Sequence, residues 1–486
     1  MSTSTGTTQL PRRRPSEQGV DARGVTAFVD AVEADPAVEL HGLMVLRHGA
    51  VVAEGWWAPY EAQRPHLLYS LSKSFTATAL GIAVDEGLVD LDATVLSYFP
   101  ELDAEVADAR SRAMRVRDVA AMASGHTGDM FEQAWRAGGG DLLRGFLRLP
   151  PEADPGSVFA YNQPCTFALS AIVQRVSGQT LRDYLRPRLL DPLGIPPVGW
   201  TTDPQGREIG FSGLHATTEA AALLGQLWLQ RGAWQGRQLL SAAFVDEAVA
   251  VHADTSRDGD SPDWHHGYGF QLWRNGPGRG YRFDGAYGQF ALVLPEHDAV
   301  VAITSASADT QALLTAAWTH LRPAFDDTEP AADASHDEGA LATRLASAGL
   351  AALGGCTLPP GELLATPGSR PASLTAVRSL PDGSVVLVDS GAGLVLRPPA
   401  DGGWHVDGPV ASTAGRTGRR RRASRWSSSR PRTGSTSTST FRPAPSPAAG
   451  APSRSAASRW PTCARRPRTE GPAQAAEALH GNGFLT

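Results

Sequence analysis

Two strand–turn–strand patterns bracket the first two thirds of this sequence, and they constrain its fold more than any other feature. The first, Gly42-Leu-Met-Val-Leu-Arg-His-Gly-Ala-Val-Val-Ala-Glu54, turns at His48-Gly49. The second joins Phe290–Leu294 to Ala299–Thr304 across Pro295-Glu-His-Asp298. Between them run periodic apolar segments separated by short Gly-, Pro- and Asp-rich turns. After the second, Leu313, Leu314, Ala317, Trp318 and Leu321 share one helical face. Strands at both ends of a domain with helices between them predict one antiparallel sheet flanked by helices, with a helical lobe built from the middle of the chain. The expected class is therefore mixed α/β (α+β) over residues 24–325, with a site at the junction of sheet and lobe.

The rest of the chain divides by composition. Residues 1–23 read as a flexible tail, rich in Ser, Thr and Gln, with Arg12, Arg13 and Arg14 and without the apolar segment of a secretory leader. A cytoplasmic protein is expected, without a membrane partner, because no run of apolar residues is long enough to span a bilayer. Residues 326–339 read as an acidic linker and 340–412 as a small β-rich accessory unit turning at Asp382-Gly383. From Thr413 to Thr469 the sequence holds fourteen arginines and no acidic residue, so 413–486 is expected to be a disordered tail. A solvated arm and a stretch of GC-rich DNA read out of frame are the alternatives that weigh against a nucleic-acid partner there. The three cysteines, Cys165, Cys356 and Cys463, have no metal-ligand spacing, so neither disulfide nor metal is expected. The adjacent His265-His266 lacks suitably spaced partners and does not change that expectation. No cofactor is implied.

Chemistry concentrates at Ser70-Leu-Ser-Lys73. Lys73 is the only lysine, while Lys and Arg together number 44. The apolar and small residues from Leu67 to Asp85-Glu86-Gly87 predict a helix with a glycine stop. Three-residue spacing puts Ser70 and Lys73 on one helical face, about a turn apart. A serine hydroxyl needs a base before it can attack, and a lysine can lose its proton near neutral pH in a suitable site. Arginine, with a pKa above about 12, cannot do so. Free N–H groups at the helix start favour negative charge developing on Ser70. A second segment, Pro155-Gly-Ser-Val-Phe-Ala-Tyr161-Asn-Gln163, leads into the helical run Thr166–Gly178, where a phenol at the helix mouth could relay a proton.

These blocks, together with Gly285-Ala-Tyr-Gly-Gln289 before the strand Phe290–Leu294, resemble in order the motifs of the class C β-lactamase, D-alanyl-D-alanine carboxypeptidase and esterase superfamily. Val116–Gly125, Asp191–Ile195, Gly213–Thr218 and Gly267–Trp273 extend the likeness, which covers about residues 24–325. The resemblance implies a two-lobe β-lactamase/transpeptidase-like fold, with Ser70 acylated, Lys73 as activating amine and Tyr161 as partner acid/base. It further implies an oxyanion hole from the backbone N–H groups of Ser70 and Ala286, and substrate contacts from Gln163, Asp284, Gly285 and Tyr287.

Two departures bear on the substrate. The lactamases' Tyr-x-Asn is Tyr161-Asn-Gln163 here, and their Lys-Thr-Gly is replaced by Phe283-Asp-Gly285. Without that lysine a substrate carboxylate has no receptor unless Arg282 serves as a fork. A small-molecule ester or amide is therefore the expected substrate. A β-lactamase or D-alanyl-D-alanine carboxypeptidase is the alternative, and a non-catalytic penicillin-binding-like sensor a second one. Trp264, Tyr268, Trp273 and Tyr287 could line the acyl pocket, though core packing would also account for such aromatics.

Overall fold

The computed structural model describes residues 10–257, 261–326 and 333–350, together with the backbone of seven strands between 361 and 428. The chain divides into two compact units, residues 1–351 and 352–486.

The bracketing strands do meet. In the first unit β1 (Leu40–Arg47) and β2 (Ala50–Trp56) form the expected hairpin. From the far end of the domain come β3 (Trp273–Arg274), β4 (Tyr281–Gly285), β5 (Gln289–Leu294) and β6 (Ala299–Ser305). The sheet order is β2-β1-β6-β5-β4-β3, antiparallel throughout. The register aligns Leu43 with Ile303 and Val301 with Leu292, so the first and last strands lie side by side at the sheet centre.

Burial on both faces explains why β1, β5 and β6 read as continuous apolar runs rather than alternating ones. On one face, Phe28 and Val29 of α1 (Ala22–Ala34) and Leu313, Leu314, Ala317 and Leu321 pack with Leu43, Val45, Leu292 and Val301. The segment carrying Leu313, Leu314, Ala317 and Leu321 begins as the helix Thr310–Ala316. On the other face lies the helix Thr218–Leu229. Its Gly225 comes so close that an added Cβ would stand 2.8 Å from Val300 Cγ1.

The helical lobe supplies α2 (Ser72–Asp85) and α3 (Gln163–Ser177), the latter ended by Gly178 in the left-handed conformation at φ 67°. The residues that α2 buries include Ser72, Ser74, Thr76 and Thr78 as well as Phe75 and Leu80. A strongly amphipathic helix would have shown a stripe in the sequence. Here small hydroxyl side chains serve instead as ties between layers.

The helix Ala334–Ala346 lies partly in the segment expected to be a linker. It anchors to the first unit through Leu341 and Leu345, which join the α1 core. In the second unit, Gly361–Leu364, Leu374–Ser379, Val385–Asp389 and Ala392–Leu396 make one antiparallel sheet. Trp404–Asp407, Val410–Thr417 and Arg421–Ser428 make another, so strands continue into the start of the arginine-rich segment. The Asp382-Gly383 turn, residues 1–9, and 429–486 lie outside the described residues.

Candidate active site

Ser70 sits in the short turn Tyr69–Leu71 that leads into α2, and is 4% exposed. Leu71 N donates to Leu68 O at 3.0 Å, closing the turn. Tyr69, immediately before the serine, has φ 45°, an uncommon backbone state for a side chain of this size. The hydroxyls along α2 hold the surroundings in place. Thr76 Oγ1 donates to Gly210 O at 2.9 Å, and Leu214 N donates to Ser72 Oγ at 3.1 Å, fastening the 210–214 loop to the helix. Ser74 Oγ donates to Gln271 O at 3.0 Å and so ties the approach to β3.

Lys73 is 1% exposed, and at hydrogen-bond distance from its Nζ lie Ser70 Oγ at 2.9 Å, Gln163 Oε1 at 2.7 Å and Phe211 O at 2.9 Å. An amide oxygen and a backbone carbonyl can only accept, whereas a hydroxyl can also donate. The two obligate acceptors take N–H bonds of Lys73, while the third contact, with Ser70 Oγ, is to a hydroxyl that can accept or donate.

Tyr161 lies just before α3, its ring centroid 4.7 Å from Lys73 Nζ. Its outer surroundings are aromatic: Trp273 stacks on it at 5.7 Å and 20°, and Tyr268 meets it edge-on at 6.2 Å. Asn162, fully buried, accepts from Met130 N at 2.9 Å, and Asp129 Oδ1 accepts from Gln163 N at 3.1 Å. Together they fix the residues on which Tyr161 and Gln163 are carried.

The far wall is β4. A Cβ on Gly285 would stand 2.4 Å from Leu68 O and 3.0 Å from Leu71 N, so only glycine lets the strand lie against the nucleophile's turn. The next residue, Ala286, has its carbonyl held by Gln289 Nε2 at 3.0 Å. Tyr287 has φ 63°, with its carbonyl accepting from Ser305 Oγ at 2.5 Å and Ser307 N at 3.0 Å. Its ring lies 5.1 Å from that of Tyr69. Two tyrosines in unusual backbone states thus face one another beside Ser70.

Arg282 does not provide the carboxylate fork considered from the sequence. Its side chain is fully buried, with Nε donating to Asp284 at 2.9 Å and one terminal nitrogen donating to Asp263 O and Asn275 Oδ1, both at 2.9 Å. The guanidinium lies 4.5 Å over Trp264, with Trp273 at 5.8 Å. Strand alternation puts Arg282 and Asp284 on one face of β4 and Phe283 and Gly285 on the other. The Asp284 carboxylate is correspondingly engaged with Arg282. Trp264, Tyr268 and Trp273 form the packing behind Tyr161, with Tyr268 and Trp273 buried.

The profile of the family described as Beta-lactamase matches residues 27–326. The chain belongs to the Beta-lactamase family. The 6-aminohexanoate-dimer hydrolase of Paenarthrobacter ureafaciens is 28% identical over 278 residues, covering 53% of this chain and 70% of the relative. Penicillin-binding protein 4 of Amycolatopsis lactamdurans is 28% identical over 335 residues, covering 59% and 81%. Esterase EstB of Burkholderia gladioli is 28% identical over 217 residues, covering 39% and 55%.

This member of the Beta-lactamase family is accordingly a serine hydrolase. Its matched region contains every residue of the site described above. Some features of the site had no sequence signal. The Phe211 carbonyl is one, since any residue carries a carbonyl and only the fold brings this one to Lys73. The segment Gly210-Phe-Ser-Gly213 around it resembles an incomplete nucleophile elbow, yet what it offers is backbone. Trp273 was visible as an aromatic, but not as the surface on which Tyr161 stacks. Cys165, a buried thiol pushed up to about 12 by desolvation, is no rival nucleophile. Among the described residues no group of three His, Cys, Asp or Glu could hold a metal ion, and no helix is long and apolar enough to cross a membrane.

Proposed function

We propose that the protein hydrolyses small uncharged esters or amides through an acyl intermediate on Ser70. The observation that carries this reading is the set of contacts at Lys73, in which two fixed acceptors orient the amine toward Ser70 Oγ. Lys73 takes the hydroxyl proton as Ser70 attacks the carbonyl carbon. Tyr161 lies over the amine and is the group that passes a proton to the leaving alcohol or amine. The N–H groups of Ser70 and Ala286 receive the oxyanion, a contribution of about 3 to 4 kcal/mol in such sites. Water then attacks the acyl-enzyme by the reverse proton route. Gln163 acts on Lys73, while Gly285 and Tyr287 border the acyl group.

The substrate preference follows from β4. A β-lactam or a peptide terminus brings a carboxylate, and the Arg282 guanidinium that could have received it is buried and bound to Asp284. Neutral acyl compounds have no such requirement. The reading is tested by comparing p-nitrophenyl acetate and butyrate and short N-acyl amides with nitrocefin and a D-alanyl-D-alanine peptide. Neutral substrates should be turned over in a Ser70-dependent way, with kcat/KM well above that for the carboxylate-bearing pair. A preference for nitrocefin or the peptide would overturn the substrate assignment.

A further inference from the structure

Trp273 and Arg282 stand directly opposite one another in the β3–β4 register. Opposed residues are the pairs that touch across an antiparallel sheet. Here the guanidinium lies 5.8 Å from the Trp273 ring and 4.5 Å over Trp264, which meets Trp273 edge-on at 6.4 Å. Three acceptors fix the cation: Asp284, Asn275 Oδ1 and the Asp263 carbonyl. Two of these are held in turn. Asn275 Nδ2 donates to Arg279 O at 2.7 Å, and the Asp263 carboxylate accepts from Trp318 Nε1 at 3.0 Å and Gln311 Nε2 at 2.5 Å.

Stability alone does not account for this arrangement. Arg282 is fully buried, and its other terminal nitrogen has no hydrogen-bond partner. An unmet buried donor weakens a fold, and apolar residues of similar volume often replace a buried ion pair at no loss. What the guanidinium does is brace the two indoles, since a cation over a ring face is attracted by the ring quadrupole. Trp273 is also the ring on which Tyr161 stacks, at 5.7 Å and 20°, while Lys73 Nζ lies 4.7 Å from the Tyr161 centroid. Tyr161 lies in a segment without helix or strand, so its neighbours set the orientation of its ring. A tilt of the phenol is resisted by Trp273, and a shift of Trp273 by Arg282.

We propose that Trp273 is a positioning residue for the leaving-group proton, with Arg282 acting through it, and that together they hold the Tyr161 phenol where it meets a departing alkoxide or amine. The inference rests on the reading of Tyr161 as the leaving-group acid. In that step the C–O or C–N bond of the tetrahedral intermediate breaks and the phenol proton passes to the departing oxygen or nitrogen. The proton that Lys73 took from Ser70 restores the phenol. The substrate class narrows accordingly. A positioned acid matters little when the leaving group departs as a stable anion and much when it does not, so alkyl esters and alkyl amides are the favoured substrates rather than activated aryl esters.

The test compares ethyl acetate with p-nitrophenyl acetate in the full chain. Both give the same acetyl-enzyme, so the ratio of their kcat/KM values reads acylation alone. Tyr161→Phe should lower kcat/KM for ethyl acetate by about 10² to 10⁴, at least about tenfold more than for p-nitrophenyl acetate. Trp273→Leu keeps the phenol but removes its platform, and should shift the ratio in the same direction by about tenfold. Arg282→Met should shift it by about threefold, whereas Trp273→Phe, which retains a ring, should stay within about threefold of wild type. Where Trp273→Leu or Arg282→Met does not fold, Trp273→Met or Arg282→Lys takes its place. Equal losses on both esters in the folded Trp273 or Arg282 variant, with the ratio moved in Tyr161→Phe, would leave these residues as packing and overturn the inference alone. A ratio unmoved in Tyr161→Phe would overturn the reading of Tyr161 and the inference with it.

Discussion

Replacing Gln163 by Glu keeps the shape of a buried side chain and adds only a charge, which makes it a sharp probe of Lys73. In the wild type Gln163 Oε1 lies 2.7 Å from Lys73 Nζ. At that distance, with an effective dielectric constant of about 20, a carboxylate attracts an ammonium by about 6 kcal/mol. Burying the new carboxylate opposes part of that attraction. If about half survives, it corresponds to roughly two pKa units. The carboxylate favours the protonated amine, so Lys73 becomes a free base only at higher pH. The acid limb of kcat/KM for p-nitrophenyl acetate should therefore move up by about two units, with activity at pH 7 falling about ten- to fiftyfold and recovering toward alkaline pH. Gln163→Leu removes the acceptor without adding charge, and should slow the enzyme without that upward displacement. A Gln163→Glu enzyme with an unmoved acid limb and near-normal activity at pH 7 would refute the role given to a neutral Lys73.

Lys73→Arg retains positive charge but cannot deprotonate, and kcat/KM should fall by about 10² to 10⁴ while circular dichroism stays native. Gly285→Ala places a methyl group 2.4 Å from Leu68 O and must displace β4 or the nucleophile's turn. An ångström-scale displacement predicts a loss of about a hundredfold in kcat, measured by single-turnover acylation. Glu208 is buried, and desolvation raises its carboxyl to about 7. Since the folded form holds this proton while the unfolded chain releases it near pH 4.5, folding stability contributed here is present below that pH and declines as pH rises toward 7. Urea unfolding at pH 5 and 8 should show Glu208→Gln gaining up to about 3 kcal/mol over wild type at the higher pH, with a smaller difference at the lower.

The sheet was legible because its strands carry their own signal. Leu43 to Val52 and Phe290 to Ile303 are apolar on both faces and broken by clear turns, and their pairing follows once both must be buried. The nucleophile and amine were legible through spacing and through the solitude of Lys73. Less accessible was anything that depends on position after folding. Gln163 could be seen as an amide near a tyrosine, but its hold on Lys73 required α2 and α3 to meet. Arg282 looked like a free cation because the sequence does not reveal that Asp284, Asn275 and the Asp263 carbonyl surround it. The helix Ala334–Ala346 reads partly as linker in the sequence because it buries only Leu341 and Leu345, too few to stand out among polar neighbours.

The most direct measurement is the intact mass of the protein after reaction with a fluorophosphonate, followed by peptide mapping. One phosphonyl adduct is expected, located on Ser70 and absent, together with p-nitrophenyl acetate turnover, in Ser70→Ala. An adduct at another residue, or turnover that persists in Ser70→Ala, would contradict it.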